Sequence, residues 1–321
     1  VLPPLKDVLE GLRVVELPLA VPFRGITARE VALIEGPLGW GEFAPFVEYE
    51  TEEAKHWLRS AVDYAWAPTP AGLRTSIPVN ATVPAVDATD VPAVLARFPG
   101  AKTAKVKVAE RGQSLADDVR RVRAVREFVP NVRVDANGGW SVDEAVNALS
   151  AFGALEYAEQ PCATVEELSE LRRRLPDVQI AADESIRKAS DPLRVAHAGA
   201  CDVAVLKVAP LGGVNATVSI ARQLDDLGIP VVISSAIDSV IGISAGLATA
   251  AALPRLPFAC GLATGELLVA DVGERIRWQN GELMVERRIP SPELLVKFAA
   301  SADRAIWWRD RVSRCWGALN L

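Results

Sequence analysis

Five residues able to do acid–base or ligand chemistry recur at a nearly constant interval. They are Lys107 in A-K-V-K-V-A, Asp135 in V-R-V-D-A-N-G, Glu159 in L-E-Y-A-E-Q-P, Asp183 in I-A-A-D-E-S and Lys207 in V-A-V-L-K-V-A, at steps of 28, 24, 24 and 24 residues. Each closes a short apolar run and is followed by a loop and a helix-period pattern. A strand-then-helix unit of that length is the repeat of a β/α barrel, whose strand C-termini all open on one face. The five groups should therefore meet at one mouth. Lys105, two residues before Lys107 and so on the same strand face, adds a third amine.

An acidic residue after a strand commonly caps the next helix or pairs with an arginine, so one alone means little. Three on consecutive strands repel one another unless a positive group intervenes. The economical neutraliser is a hard divalent cation with oxygen ligands, and Mg²⁺ is favoured, which makes Asp135, Glu159 and Asp183 the expected metal ligands. Lys105 beside Lys107 is expected to depress the Lys107 pKa by like charge, as a general base needs. Lys207 comes from the strand across the barrel and would approach a substrate from its other face. The implied chemistry is proton abstraction beside a carboxylate, with the metal stabilising the enediolate. His56 and His197 are the two histidines and both fall in expected helices, which argues against a histidine base.

The elements that must position these groups can be read in order. Before the barrel, R-V-V-E-L-P-L, E-V-A-L-I-E and L-G-W-G-E-F read as strands, and Thr51 opens a helix to about Trp66 that Pro68, Pro70 and Gly72 stop. The first barrel strand is expected over 77–83, followed by a helix across Val91–Phe98. Ser114 caps the next helix, with a stripe of Leu115, Val119, Val122, Val125 and Phe128/Val129. Ser141 with Glu144, and Thr164 with Glu167, make capping boxes. Asp191-Pro192 starts the fifth helix of this set, and Gly228 ends the sixth. I-P-V-V-I-S-S is the seventh strand and P-F-A-C-G-L the eighth. The expected fold is α/β: a (β/α)₇β modified TIM barrel over 77–264, with an α+β capping domain from residues 1–76 that the tail, 265–321, completes.

Composition narrows the function classes. The chain has 321 residues, half of them apolar, 24% charged, with a net charge of −6, which argues against nucleic-acid or anionic-membrane partners. Four scattered cysteines without C-x-x-C spacing suggest buried, reduced thiols in the cytoplasm. The opening residues lack the basic start and apolar core of a signal peptide. Val231 to Leu253 holds a single charge, Asp238, yet it divides into a strand and an Ala/Gly-rich buried helix more readily than it spans a bilayer.

The K-V-K motif, the Asp/Glu/Asp ladder and the lysine of the sixth strand resemble the muconate-lactonising subgroup of the enolase superfamily. F-R-G-I-T-A-R-E, G-W-G-E-F-A-P-F, D-A-N-G-G-W, E-Q-P, A-D-E-S and I-S-S-A-I-D-S-V-I-G are similar to the o-succinylbenzoate synthase family within it. That resemblance implies syn-dehydration of 2-succinyl-6-hydroxy-2,4-cyclohexadiene-1-carboxylate, in menaquinone biosynthesis. Lys107 would remove the proton α to the carboxylate, Lys207 would face the enediolate as a cation, and Asp135, Glu159 and Asp183 would hold Mg²⁺. Asn137, Ser234, Ser235, Ser239 and Gly261 would line the pocket, and Phe23, Arg24 and Gly25 would sit in a specificity loop.

Dipeptide epimerases of the subgroup carry Asp-x-Asp at the end of the eighth strand, and C-G-L-A-T-G-E here has no such pair. N-succinylamino acid racemases share almost every catalytic residue, so racemisation stands as the alternative, alone or as a second activity. A non-catalytic ligand-binding barrel would show gaps in the ladder or a missing lysine, and neither occurs.

Overall fold

The computed structural model describes residues 2–23, 25–187 and 191–319. Short helix α1 (Leu5–Glu10) leads into an antiparallel sheet of β1 (Leu12–Phe23), β2 (Ile26–Gly36) and β3 (Gly39–Phe43), in that spatial order. Helix α2 (Thr51–Trp66) covers the sheet with its buried face, Ala54, Trp57, Leu58, Ala61 and Ala65. The backbones touch closely at Gly41, where a Cβ would fall 1.9 Å from the Ala61 carbonyl oxygen, so no larger residue fits.

The expected first barrel strand divides into two. Part of it, β4 (Ser76–Pro78), pairs with β13 (Glu282–Met284) of the tail, itself paired with β12 (Trp278–Gln279). The other part, β5 (Ala81–Val83), enters the barrel. From there strand and helix alternate: α3 (Val91–Leu95), β6 (Thr103–Lys107), α4 (Leu115–Arg126), β7 (Asn131–Asp135), α5 (Val142–Phe152), β8 (Tyr157–Glu159), α6 (Val165–Arg174), β9 (Ile180–Ala182), α7 (Asp191–His197), β10 (Val203–Lys207), α8 (Val214–Asp226), β11 (Val231–Ser234) and α9 (Val240–Ala252). The sheet is parallel in the order β11-β10-β9-β8-β7-β6-β5. The eighth strand is reduced to two bridges: Cys260 joins Val79 at one edge and Gly261 joins Ser234 at the other, which closes the ring.

Helix starts follow the side-chain chemistry. Ser114, Ser141 and Thr164 each accept the N–H three residues on, while Asp117, Glu144 and Glu167 return a bond to the cap backbone. The stripe on α4 is shorter than expected. Val122 and Val125 are buried, but the helix ends at Arg126 and Phe128 is exposed, so Val129 alone continues the face. Helix α9 is buried nearly all round, which accounts for its apolar composition, and among the described residues no helix is long and apolar enough to cross a membrane.

Two ties join distant parts. Arg133 is fully buried inside the barrel, donating to Asn80 Oδ1 (3.2 Å) beside β5 and to the Ala259 carbonyl (2.8 Å) of the eighth segment, with its guanidinium 4.5 Å above the Tyr157 ring. After α10 (Pro292–Lys297), helix α11 (Ala302–Leu319) returns to α2. There Trp308 packs edge-on against Phe43 and donates to Glu30, and Arg311 donates to the carbonyls of Phe46 (2.9 Å) and Tyr49 (2.6 Å). Trp308→Ala should cost about 3–5 kcal/mol of stability, as buried Trp truncations do. Urea unfolding followed by far-UV circular dichroism checks this, and an unchanged midpoint would contradict the packing role.

Candidate active site

The K-V-K strand is held at its end by α4. Asp118 accepts the Ala109 N–H (3.0 Å) and pairs with Arg121 (2.8 Å), which donates to the Lys107 carbonyl (2.9 Å). Ladder register then sets the site, since Lys107 lies beside Asp135 and Asp135 beside Glu159. Asp183 follows β9, whose Ala181 is the register partner of Glu159. The three carboxylates therefore stand on neighbouring strands at one level, all buried.

Each carboxylate meets an ammonium. Lys107 Nζ lies 2.5 Å from Asp135 Oδ2, Lys105 Nζ lies 3.0 Å from that same oxygen and also donates to Glu159, and Lys207 donates to both Asp183 oxygens. This corrects the charge argument made from sequence: three lysines balance three carboxylates, so their burial does not by itself require a cation. The ammonium groups of Lys105 and Lys107 both contact the same oxygen of Asp135.

The balance is uneven. Burial would raise Asp135, but Lys105 and Lys107 hold it well below the usual carboxylate range. Burial also opposes the charge on Lys105, yet Asp135 and Glu159 raise its pKa well above the ordinary lysine value. Burial pushes Glu159 up to about 7; Lys105 offsets this only in part, and Asp135 and Asp183 reinforce it. Asp183 is lowered, because Lys207 and Arg187 outweigh its burial, while burial lowers Lys207 against the pull of Asp183.

With the ammonium groups between them, no three His, Cys, Asp or Glu side chains converge on a single point among the described residues. Of the oxygens of Asp135, Glu159 and Asp183, one nevertheless has no hydrogen-bond partner among the described residues. Glu159 Oε2 accepts no hydrogen bond, although Asp135 and Asp183 flank it. An orphaned carboxylate oxygen amid an all-oxygen donor set fits a hard divalent cation held by Asp135, Glu159 and Asp183.

A pocket open to solvent lies above this floor. Lys105, Lys107, Asp135, Asn137, Asp183, Lys207, Ser234, Ser235 and Gly261 line it, so nine residues singled out from sequence come together. Ser235 Oγ is fixed by the Gly261 carbonyl (2.5 Å) and by Thr264 Oγ1 (2.8 Å). Ser239 lies elsewhere. It is fully buried at the start of α9, where it caps the Ile241 N–H and donates to Glu42 of β3, so it joins the N-terminal segment to the barrel. Arg24 lies outside the described residues.

Sequence reasoning missed the roof and one wall. Phe46, Tyr49 and Trp57 cover the cavity, while Thr82, Arg187, Pro210, Ile237 and Thr264 complete its sides. Position after strand ends could have flagged Arg187, Pro210 and Ile237, and E-Q-P carried a further signal. Gln160, at φ 37°, accepts the backbone N–H of Asp183 (3.0 Å) and of Ser185 (3.1 Å), pinning the loop that carries the third carboxylate.

A barrel with base-capable lysines on strands across from each other, above a floor of carboxylates, is the site of an enzyme acting on a carbon acid. Residues 93–289 match the family model for the enolase C-terminal domain and residues 14–65 that for the enolase N-terminal domain. The muconate lactonizing enzyme of Pseudomonas putida superposes with a TM-score of 0.76 at 19% identity, covering 90% of this chain and 98% of that one. The N-succinyl Arg/Lys racemase of Bacillus cereus does so at 0.77 and 19%, covering 90% and 97%. Among curated proteins, the o-succinylbenzoate synthase of Mycolicibacterium smegmatis is 64% identical over 98% of this chain and 97% of its own, and that of Mycobacterium marinum is 62% identical over 98% and 96%. The chain belongs to the enolase superfamily and, within it, to the family of these o-succinylbenzoate synthases.

The Glu42 junction yields a stability prediction. Its carboxylate accepts the Ser239 (3.1 Å) and Gly242 (3.0 Å) N–H groups, and burial, with Asp238 nearby, pushes its pKa up to about 8. Asp271, buried against the same helix start, is raised to about 6. A folded pKa above the unfolded one means the native state binds the extra proton, so stability falls as pH rises from about 4.5 to about 8. Glu42→Gln should flatten this slope, gaining stability relative to the parent at pH 8 compared with pH 5. Urea titrations at both pH values check the sign, and an unchanged slope would remove Glu42 as its source.

Proposed function

We propose that the chain dehydrates 2-succinyl-6-hydroxy-2,4-cyclohexadiene-1-carboxylate to o-succinylbenzoate. What carries the reading is the pairing of Lys107 and Lys207 on opposite strands of one cavity, in a chain so similar along its length to o-succinylbenzoate synthases. The reaction breaks the C–H bond next to the ring carboxylate and the C–O bond at the adjacent carbon, forms a ring double bond and releases water.

Lys107, in its neutral form, takes the proton and returns it to the departing hydroxyl. Both groups leave from one face, so a single nitrogen serves both transfers. Lys207, on the opposite wall, stays an ammonium and faces the negative charge that develops on the substrate. Lys105, between Asp135 and Glu159, holds these carboxylates in register. Ser234, Ser235 and Gly261 border the wall that would receive the substrate's polar edge, with Asn137 beside the base. Phe46, Trp57 and Ile237 exclude water from above. Mg²⁺, the ion we assign to Asp135, Glu159 and Asp183, supplies when bound the positive charge that the substrate carboxylate needs as its α-proton leaves. We further assign the reaction to menaquinone biosynthesis in the cytoplasm, which four free, buried cysteines suit. The capping unit we take as residues 1–76 with 265–321.

A second activity is compatible with the lysine pair, because racemisation removes a proton on one face and delivers one on the other. Loss of the cyclohexadiene absorbance, followed with Mg²⁺ and then with excess EDTA, tests the main assignment. Turnover should vanish with EDTA and fall by about 10²–10⁴-fold in Lys107→Ala, the usual contribution of a positioned base. Persistence in either case would overturn it. Incubation of an N-succinylamino acid in D₂O tests the second activity: deuterium at Cα that needs both Lys107 and Lys207 supports racemisation, and no exchange excludes it.

A further inference from the structure

Glu184 directly follows Asp183, in a single 3₁₀ turn (Glu184–Ile186), and has no part in the reaction as described. Its Oε1 accepts from Asn137 Nδ2 (3.0 Å) and from Arg187 Nη2 (2.5 Å). A carboxylate can only accept, so it draws the NH₂ end of Asn137 toward itself and turns the amide oxygen the other way. That oxygen, Oδ1, receives a hydrogen bond from Lys107 Nζ at 2.8 Å. The Asn137 backbone is fixed as well: it sits in the left-handed region (φ 48°), where Asn is tolerated, and its N–H donates to Asp135 Oδ1 (3.1 Å). Arg187 balances the Glu184 charge and donates to the Tyr49 hydroxyl (2.8 Å), bracing the arrangement against the roof.

We propose that Glu184 is a positioning residue for proton transfer: by setting the orientation of the Asn137 amide, it holds Lys107 Nζ toward the substrate side of the cavity. The inference rests on Lys107 being the base. A purely structural Glu184, serving only its ion pair with Arg187, would affect loop stability and leave the base where it is.

The test compares Glu184→Ala, Glu184→Asp, Glu184→Gln, Asn137→Ala and the Glu184→Ala/Asn137→Ala pair, as full chains saturated with Mg²⁺, with Lys107→Ala as reference. Glu184→Ala should lower kcat roughly 10- to 100-fold, the scale of a misplaced reacting group, with KM and the Mg²⁺ half-saturation point changed by less than about twofold. Glu184→Asp keeps the charge but withdraws the acceptor, and should lose as much. Glu184→Gln retains an acceptor oxygen and should recover most of the rate. The double variant should be no slower than Asn137→Ala alone, because both act along one path. Wild-type kcat in Glu184→Ala and Glu184→Asp, fully additive losses, or a loss that excess Mg²⁺ restores would each overturn the proposal. An active Lys107→Ala would instead overturn the assignment of the base on which it rests.

Discussion

Burying three carboxylates at one level of a barrel is the constraint from which most of this structure follows. Each anion would cost several kcal/mol to desolvate unpaired, and together they raise one another's proton affinity. The chain meets the cost with Lys105, Lys107 and Lys207, which rise from neighbouring and opposing strands to the same level. The compensation falls short at Glu159, whose second oxygen has no partner and whose pKa is raised. A divalent ion fits at that shortfall, and its arrival would compete with the lysines for the same oxygens. Under this account the ammonium groups are the carboxylates' partners in one state and the substrate's partners in another.

The rest of the fold serves to keep that level in register. Asp118 and Arg121 of α4 fix the end of β6, Gln160 fixes the turn after β9, and Arg133 spans the barrel interior beneath. The roof is held from outside the barrel. Arg311 of the last helix grips the carbonyls of Phe46 and Tyr49, and Glu42 secures β3 to the start of α9, directly after the pocket wall at 234–237. The N-terminal segment thus covers the cavity while the last helix holds that cover in place, and specificity for a bulky acid can be set by residues remote in sequence from those that react.

Much of this was legible in the sequence because it rests on local or periodic signals. The even spacing from Lys107 to Lys207 encodes the βα repeat, and Ser114, Ser141 and Thr164 announce their helices through short-range capping. What escaped depends on contacts between distant segments. Ser239 reads as a pocket serine by its neighbours, yet Glu42, almost 200 positions away, claims its hydroxyl. The first barrel strand gives up Ser76–Pro78 to the tail hairpin, which no alternation pattern could reveal. Lysine–carboxylate pairing was also hidden, since spacing shows that charges share a level but not which groups touch.

The acidic ladder, completed by Glu159, would form one divalent-cation site. Calorimetric titration of Mg²⁺ into the full chain and into Glu159→Gln tests this most directly. One ion per chain in the parent, with affinity lowered by at least about tenfold in the variant, is the predicted result, since one carboxylate ligand is worth that much or more. Equal affinity in both would place the ion elsewhere and contradict the account.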